Sequence, residues 1–155
     1  MIDITNYIQE KLKITSKTKI NQYTCHPKTS KDLRKILKER LSKDKNADLN
    51  DIDVSKITDM VNLFYNLDPH NIDISEWDVS SVKSMDAMFY KCKNFKGEGL
   101  ENWNVSNVKN MYYMFFGCTN LNCNLENWDV SNVKNMYEMF YSCNNLKNKP
   151  NWYKE

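Results

Sequence analysis

Apolar residues recur along residues 49–149 in a pattern that repeats about every 25 positions. Equivalent positions lie 25, 26 and 25 residues apart, and they are Ile52, Trp77, Trp103 and Trp128. Self-similarity with a period of about 20 to 50 residues is typical of proteins built from stacked repeats. The pattern therefore predicts four stacked repeats, at residues 49–71, 72–99, 100–124 and 125–149.

Each repeat combines two apolar periodicities. In the third repeat, Trp103 and Val105 alternate with polar residues at the period of two that indicates a strand. The second half places apolar residues at i, i+3, i+4 and i+7, namely Met111, Met114, Phe115 and Cys118. This spacing favours one face of a short helix. We therefore predict an α/β protein, a short leucine-rich-repeat-like parallel solenoid of about four 25-residue strand-plus-helix coils.

The ends of such an array need caps. Residues 30–42 predict a helix with Ser30 as N-cap and an apolar stripe that covers the first coil. Residues 3–14 predict another helix, and Trp152 is expected to fold over the last coil. We expect one domain overall, with an N-terminal helix and linker at 1–26, a helical N-cap at 27–48, and the repeats with a short C-terminal cap at 49–155.

The repeats resemble those of the BspA-like leucine-rich-repeat family of mycoplasmas and gut bacteria. The segments that carry the resemblance are NDIDVSKITDMVNLF, DISEWDVSSVKSMDAMF and NWDVSNVKNMYEMFYSC. They are similar to the family repeat W-D-V-S-N-V-T-N-M-x-x-M-F. The resemblance implies a leucine-rich-repeat-like solenoid and, for many bacterial and protozoan members, a surface protein that binds host proteins or other cells.

The charge pattern separates the start of the chain from the repeats. Residues 1–50 carry 12 Lys and Arg against 6 Asp and Glu, whereas residues 51–155 carry 10 against 14. The lysines are spread along helical patterns and do not cluster with aromatic residues, so nucleic acid is not the expected partner. The N-terminus lacks signal-peptide features and no apolar run is long enough to cross a membrane, which predicts a cytoplasmic location.

The sequence lacks the usual signs of an active site. Cys92, Cys118 and Cys143 share one repeat position with Leu67, which predicts that these thiols pack in the core. No C-x-x-C pair is present, and His26 and His70 lie outside any zinc-ligand pattern. We therefore expect a non-enzymatic protein without cofactor or metal.

Two rows of surface residues are candidates for partner binding. The first row is polar and comprises Asp53, Asp78, Asn104 and Asp129. These side chains either fix the corner of each coil by accepting hydrogen bonds from the following turn, or form a recognition face for a protein, a sugar or a cation.

The second row is aromatic. Tyr65, Tyr90, Phe116 and Tyr141 each follow a buried Phe, and tyrosines also lie on the outer half of the predicted helices. Tyrosine supplies a large contact area at low rotamer cost, so protein interfaces favour it. The candidate contact residues are Tyr112, Tyr113, Phe116, Tyr137 and Tyr141.

These features predict a protein–protein interaction module. One alternative is a phage or mobile-element protein that inhibits a host enzyme or defence complex inside the cell. Further alternatives are a surface adhesin and a self-assembling structural protein that forms a homodimer through its C-terminal end near Trp152.

Overall fold

The computed structural model describes residues 23–154. The helix predicted over residues 3–14 therefore lies outside the described residues. The helix predicted over residues 30–42 is confirmed as α1, Ser30–Lys43. Its N-cap is Thr29 and not Ser30, because the Thr29 hydroxyl accepts from the Asp32 amide while the Asp32 carboxylate accepts from the Thr29 amide. This capping box fixes the start of the helix, and α1 buries Leu33, Leu37 and Leu41.

The predicted strand-plus-helix solenoid is wrong. Across residues 23–154, the regular elements are α1 and one three-residue 3-10 helix at Leu100–Asn102, and no strand forms. Extended pairing is limited to isolated parallel bridges between single residues, among them Asp59 to Ser84, Ser84 to Asn110 and Asn110 to Asn135. These bridges join equivalent positions of successive repeats, so the repeats lie side by side in register without forming a sheet.

The predicted helix in the second half of each repeat is absent because two of its positions adopt left-handed backbone conformations. In the third repeat, φ is 57° at Tyr113 and 72° at Gly117. A right-handed helix cannot continue through such residues. The chain instead closes turns, in which the amide of Met114 donates to the carbonyl of Met111 and that of Cys118 to that of Phe115.

Amides at alternate positions of this segment donate to the next repeat. Met111, Tyr113, Phe115 and Gly117 donate to the carbonyls of Asn135, Tyr137, Met139 and Tyr141 at 2.8–3.1 Å. The second repeat donates to the third in the same way from Met85, Ala87, Phe89 and Lys91. Hydrogen bonds between repeats thus satisfy the amides that a helix would have paired within itself.

The predicted strand in the first half is absent for a related reason. The side chain at the Asp53 position of each repeat accepts a hydrogen bond from the amide two residues later, which bends the chain immediately after the Trp. A second turn follows, in which Val82 donates to the carbonyl of Val79, and the third and fourth repeats contain the same turn. Only the residue at each bridge remains paired in extended conformation.

Identical side chains of successive repeats pack on one another in the core. The Trp77 and Trp103 rings stack with centroids 6.3 Å apart, and Phe64, Phe89, Phe115 and Phe140 form a stacked column at 4.9–5.7 Å. Each Trp Nε1 donates to a carbonyl of the preceding repeat; Trp103, for example, donates to Ile74 at 3.0 Å. The prediction for Trp152 is confirmed, since its ring stacks on Trp128 at 6.4 Å and its Nε1 donates to Leu125.

The cysteine column also packs as predicted. The thiols of Cys92, Cys118 and Cys143 are buried, and each donates to the carbonyl of a phenylalanine one repeat earlier. Burial is the main cause that raises the pKa of each thiol, in the case of Cys143 to about 12. These thiols therefore stay protonated and serve packing.

We expect Trp103→Phe to lower the free energy of unfolding by about 1–3 kcal/mol, because it opens a cavity and removes one of the two donors to the Ile74 carbonyl, which keeps the Trp77 amide. Urea unfolding followed by circular dichroism measures this loss. Trp152→Phe is the matched control, since Trp152 makes the same kind of hydrogen bond but is only half-buried, and its loss should be smaller. Equal losses would contradict the account of the core.

Candidate interaction surface

Seven aromatic side chains form one continuous surface, which we call the aromatic patch. It consists of Tyr65, Tyr90, Tyr112, Tyr113, Phe116, Tyr137 and Tyr141. One row of rings runs across all four repeats from Tyr65 through Tyr90 and Phe116 to Tyr141, with successive centroids 5.7, 5.1 and 4.9 Å apart. Each of the first three rings thus contacts its equivalent in the next repeat.

A second row joins the first through Tyr113. The Tyr112 and Tyr137 rings stack at 6.0 Å, and the Tyr113 ring contacts Tyr112 at 3.9 Å. Tyr113 also contacts Tyr90 at 5.9 Å and Phe116 at 4.9 Å. The patch is therefore widest on the third repeat.

The turn geometry directs these rings outward. Met114 and Phe115 lie between Tyr113 and Phe116 in sequence and are fully buried, so the neighbouring side chains point to the opposite side. Tyr137 and Tyr141 are 60% and 56% exposed and Tyr65 is 37% exposed, while the other four rings are half-buried by one another. The structure thus brings the five aromatic candidates together and extends their row to Tyr65 and Tyr90.

Hydrogen bonds and nearby charge raise the pKa of two phenols, those of Tyr113 and Tyr137. The pKa of Tyr113 is raised, chiefly by its hydrogen bond with Tyr112 and then by desolvation and the Glu138 carboxylate. The pKa of Tyr137 is raised chiefly by its hydrogen bond with Glu138. Lys91 lies over the Tyr90 ring with its Nζ 5.1 Å from the centroid, a cation–π contact at the margin of the patch. The raised pKa values favour the neutral form of the Tyr113 and Tyr137 phenols in the patch.

The polar row has a structural role within each repeat. Asp53, Asp78, Asn104 and Asp129 each accept through Oδ1 from the amide of the serine two residues later, at 3.0–3.2 Å. The Ser55 and Ser106 hydroxyls donate to the same oxygens at 2.6 and 2.7 Å. Serine hydrogen bonds are the main cause that lowers the pKa of Asp53 and of Asp129. These contacts accord with the turn-fixing interpretation of the row.

Residues 23–154 contain neither a metal-binding cluster nor a membrane-spanning helix. No group of three or more His, Cys, Asp or Glu side chains in residues 23–154 is placed to hold a metal ion. Over the same residues, no helix combines the length and the apolar character needed to cross a membrane.

A comparison with known protein families matches the part of the chain that contains the repeats. A family model described as "Mycoplasma protein of unknown function, DUF285" matches residues 31–153. No curated protein and no solved structure gives a significant match. The matched segment begins within α1 and contains all four repeats and Trp152.

We expect Asp129→Asn to preserve the turn, because Asn104 does so in the third repeat, but to change how stability depends on pH. The folded-state pKa of Asp129 is lowered. Its ionised carboxylate therefore stabilises the fold above pH about 4 and loses that effect as the pH falls through the lowered pKa.

The melting temperature of the natural protein should exceed that of Asp129→Asn by about 1–3 °C at pH 7. This advantage should shrink as the pH is lowered from about 5 to 2. Differential scanning calorimetry over that range measures it. A difference that does not vary with pH would contradict the role assigned to the carboxylate.

Proposed function

The chain belongs to a family of Mycoplasma proteins whose function is unknown, and we propose that it is a non-enzymatic protein–protein interaction module whose aromatic patch contacts a protein partner. The single observation that carries the proposal is the unbroken set of ring contacts across the exposed side of all four repeats. Isolated exposed aromatic residues need no explanation, whereas a contiguous exposed patch marks an interaction site.

The patch has the composition and rigidity that protein recognition favours. Tyrosine is enriched at the centres of protein interfaces and among the residues that dominate binding energy. Each ring in the row contacts the equivalent ring of a neighbouring repeat, which reduces the side-chain freedom that remains to be lost on binding. The patch is thus preorganised for a partner.

Differences between repeats give the patch its specificity. Tyr112 and Tyr137 occupy a position that holds Val61 and Asp86 in the first two repeats. Tyr113 occupies a position that holds an Asn, an Ala and a Glu elsewhere, namely Asn62, Ala87 and Glu138. The core columns repeat while this surface varies, and the rings concentrate on the third and fourth repeats.

The resemblance to BspA-like proteins supports a partner that is a host protein or another cell. A cytoplasmic location would instead favour a partner inside the cell, such as an enzyme or defence complex that the protein inhibits. Both cases use the same aromatic patch, so the surface can be tested before the compartment is known.

The triple variant Tyr112→Ala, Tyr113→Ala, Tyr137→Ala should lose partner capture while remaining folded. Ala87 occupies the Tyr113 position in the second repeat at a similar φ, so alanine is compatible with this backbone. Capture from native lysate by immobilised protein, quantified by mass spectrometry, should fall by at least about tenfold for proteins that the natural chain enriches, since hot-spot aromatics each contribute about 2 kcal/mol or more.

The matched control is Glu101→Ala, Asn122→Ala, Lys147→Ala, three exposed polar positions outside the aromatic patch. The control should capture the same proteins as the natural chain, and both variants should keep its circular dichroism spectrum. If the triple tyrosine variant captured the same proteins at the same level, the aromatic patch would not be the binding surface.

A further inference from the structure

In the segment equivalent to residues 111–117, the backbone hydrogen bonds between repeats have one direction. Amides of the earlier repeat donate there to carbonyls of the later one, as Tyr113 does to Tyr137 and Phe115 to Met139, whereas outside this segment some amides donate to the earlier repeat, as Lys134 does to Lys109. The carbonyls that accept lie on the side facing the N-terminus, and the amides that donate lie on the side facing the C-terminus. A stack built this way has an acceptor edge at its first repeat and a donor edge at its last.

Helix α1 covers the acceptor edge. The first-repeat carbonyls equivalent to those of Asn135, Met139 and Tyr141 belong to Asp59, Leu63 and Tyr65. The Ser30 hydroxyl donates to Asp59, and the Arg34 guanidinium donates to Leu63 at 2.5 Å and to Tyr65 at 2.6 Å. Two side chains of α1 thus take the place of a preceding repeat.

Among the described residues, no side chain covers the donor edge of the fourth repeat in this way. Met136, Glu138, Phe140 and Ser142 are equivalent to the third-repeat residues whose amides donate onward. Within residues 23–154, the amides of these four residues donate to no acceptor. The carbonyls of Met136, Glu138 and Phe140 are not free acceptors, because each accepts a hydrogen bond from an amide three residues later in the same repeat.

The edge already has the backbone geometry of a paired repeat. The φ angles are 50° at Glu138 and 59° at Ser142, against 50° at Ala87 and 57° at Lys91 in the second repeat, where the amides are paired. The four free amides therefore point outward in the arrangement that receives a row of carbonyls in the earlier repeats.

An open pocket of about 470 Å³ lies beside this donor edge. Its apolar walls are side chains of Met136, Tyr137, Phe140, Tyr141 and Tyr153. Trp152 and Tyr153 cover Phe140 from one side, with ring centroids at 6.1 and 5.0 Å. The pocket and the amide row together form a surface with backbone donors and adjoining apolar contacts.

We propose that this donor edge docks an extended segment of another protein, whose free carbonyls at alternate residues accept from the four amides and whose apolar side chains fill the adjoining pocket. The segment type that fits is one like the second half of a repeat, because that is what pairs with the same amides in the three earlier interfaces. Addition of a peptide to an exposed backbone edge is an established mode of recognition.

A second copy of the chain does not fit this edge. Two donor edges cannot satisfy each other's four amides, because beside those amides each edge presents the Lys134 carbonyl, whose equivalent Lys109 accepts from the next repeat, and not a matching row of carbonyls. The acceptor edge of a second copy is occupied by Ser30 and Arg34. The partner must therefore bring carbonyls that its own fold leaves free. This inference deepens the proposed function, since it assigns a second contact beside the Tyr137 and Tyr141 end of the aromatic patch.

The probe for this proposal is a fluorescein-labelled peptide with the sequence of residues 107–117, NVKNMYYMFFG. Titration of the full-length protein, followed by fluorescence anisotropy, should give saturable binding. In a separate exchange experiment, the amides of Met136, Glu138, Phe140 and Ser142 should exchange with solvent at least about tenfold more slowly when an unlabelled peptide is bound.

Met136→Pro and Met136→Ala form a matched pair of variants. Both remove the Met136 side chain, but only proline removes an edge amide, and that amide has no partner to lose in the free protein. Met136 does not adopt a positive φ, and Asn135 before it is in an extended bridge, which suits proline. We expect Met136→Ala to bind the peptide and Met136→Pro to bind at least about tenfold more weakly, with similar melting temperatures.

Three outcomes would overturn the proposal: no saturable binding by the natural protein, equal binding by the two Met136 variants, or slow amide exchange at the edge caused by dimers of the free protein.

The triple tyrosine variant separates this proposal from the proposed function. Loss of partner capture in that variant with no peptide binding by the natural chain would retain the aromatic patch and reject the edge. Unchanged partner capture by that variant, together with peptide binding by the natural chain, would reject the aromatic patch and retain the edge.

Discussion

The amide-to-carbonyl hydrogen bonds between successive repeats are the constraint on which the rest of the structure depends. They run from alternate residues of one repeat to alternate residues of the next, as from Met111 to Asn135 and from Phe115 to Met139. Because they join equivalent positions, they bring core side chains of one repeat against their counterparts in the next. The stacked Trp, Phe and Cys columns follow from this register.

The same bonds explain the surface. Alternate amides can point to the next repeat only if left-handed residues such as Tyr113 and Gly117 turn the chain within each repeat. Those turns bury Met114 and Phe115 and place Tyr113 and Phe116 outside. The aromatic patch is therefore the outer counterpart of the buried columns, and its ring contacts cross the same boundaries between repeats. The direction of these bonds also leaves the fourth repeat with a row of amide donors that have no acceptor within residues 23–154, beside the exposed end of that patch.

The sequence predicts the repeats, their register, the buried columns, α1 and the position of Trp152, because each depends on which side chains must leave water. It does not predict the backbone type. The i, i+3, i+4, i+7 spacing arises from a helix but also from two consecutive turns with left-handed residues at the third and seventh positions. Gly117 suits such a position, whereas Tyr113 and Glu138 give no sequence signal for it. The joining of the two aromatic rows at Tyr113 depends on these turns and could not be predicted for that reason.

The backbone pairing is directly measurable in solution. Scalar couplings across hydrogen bonds, recorded by triple-resonance NMR, identify the carbonyl carbon that each amide nitrogen faces. We expect couplings from the amides of Met111, Tyr113, Phe115 and Gly117 to the carbonyls of Asn135, Tyr137, Met139 and Tyr141. Couplings from these amides to carbonyls four residues earlier would instead show a helix in each repeat and contradict the account.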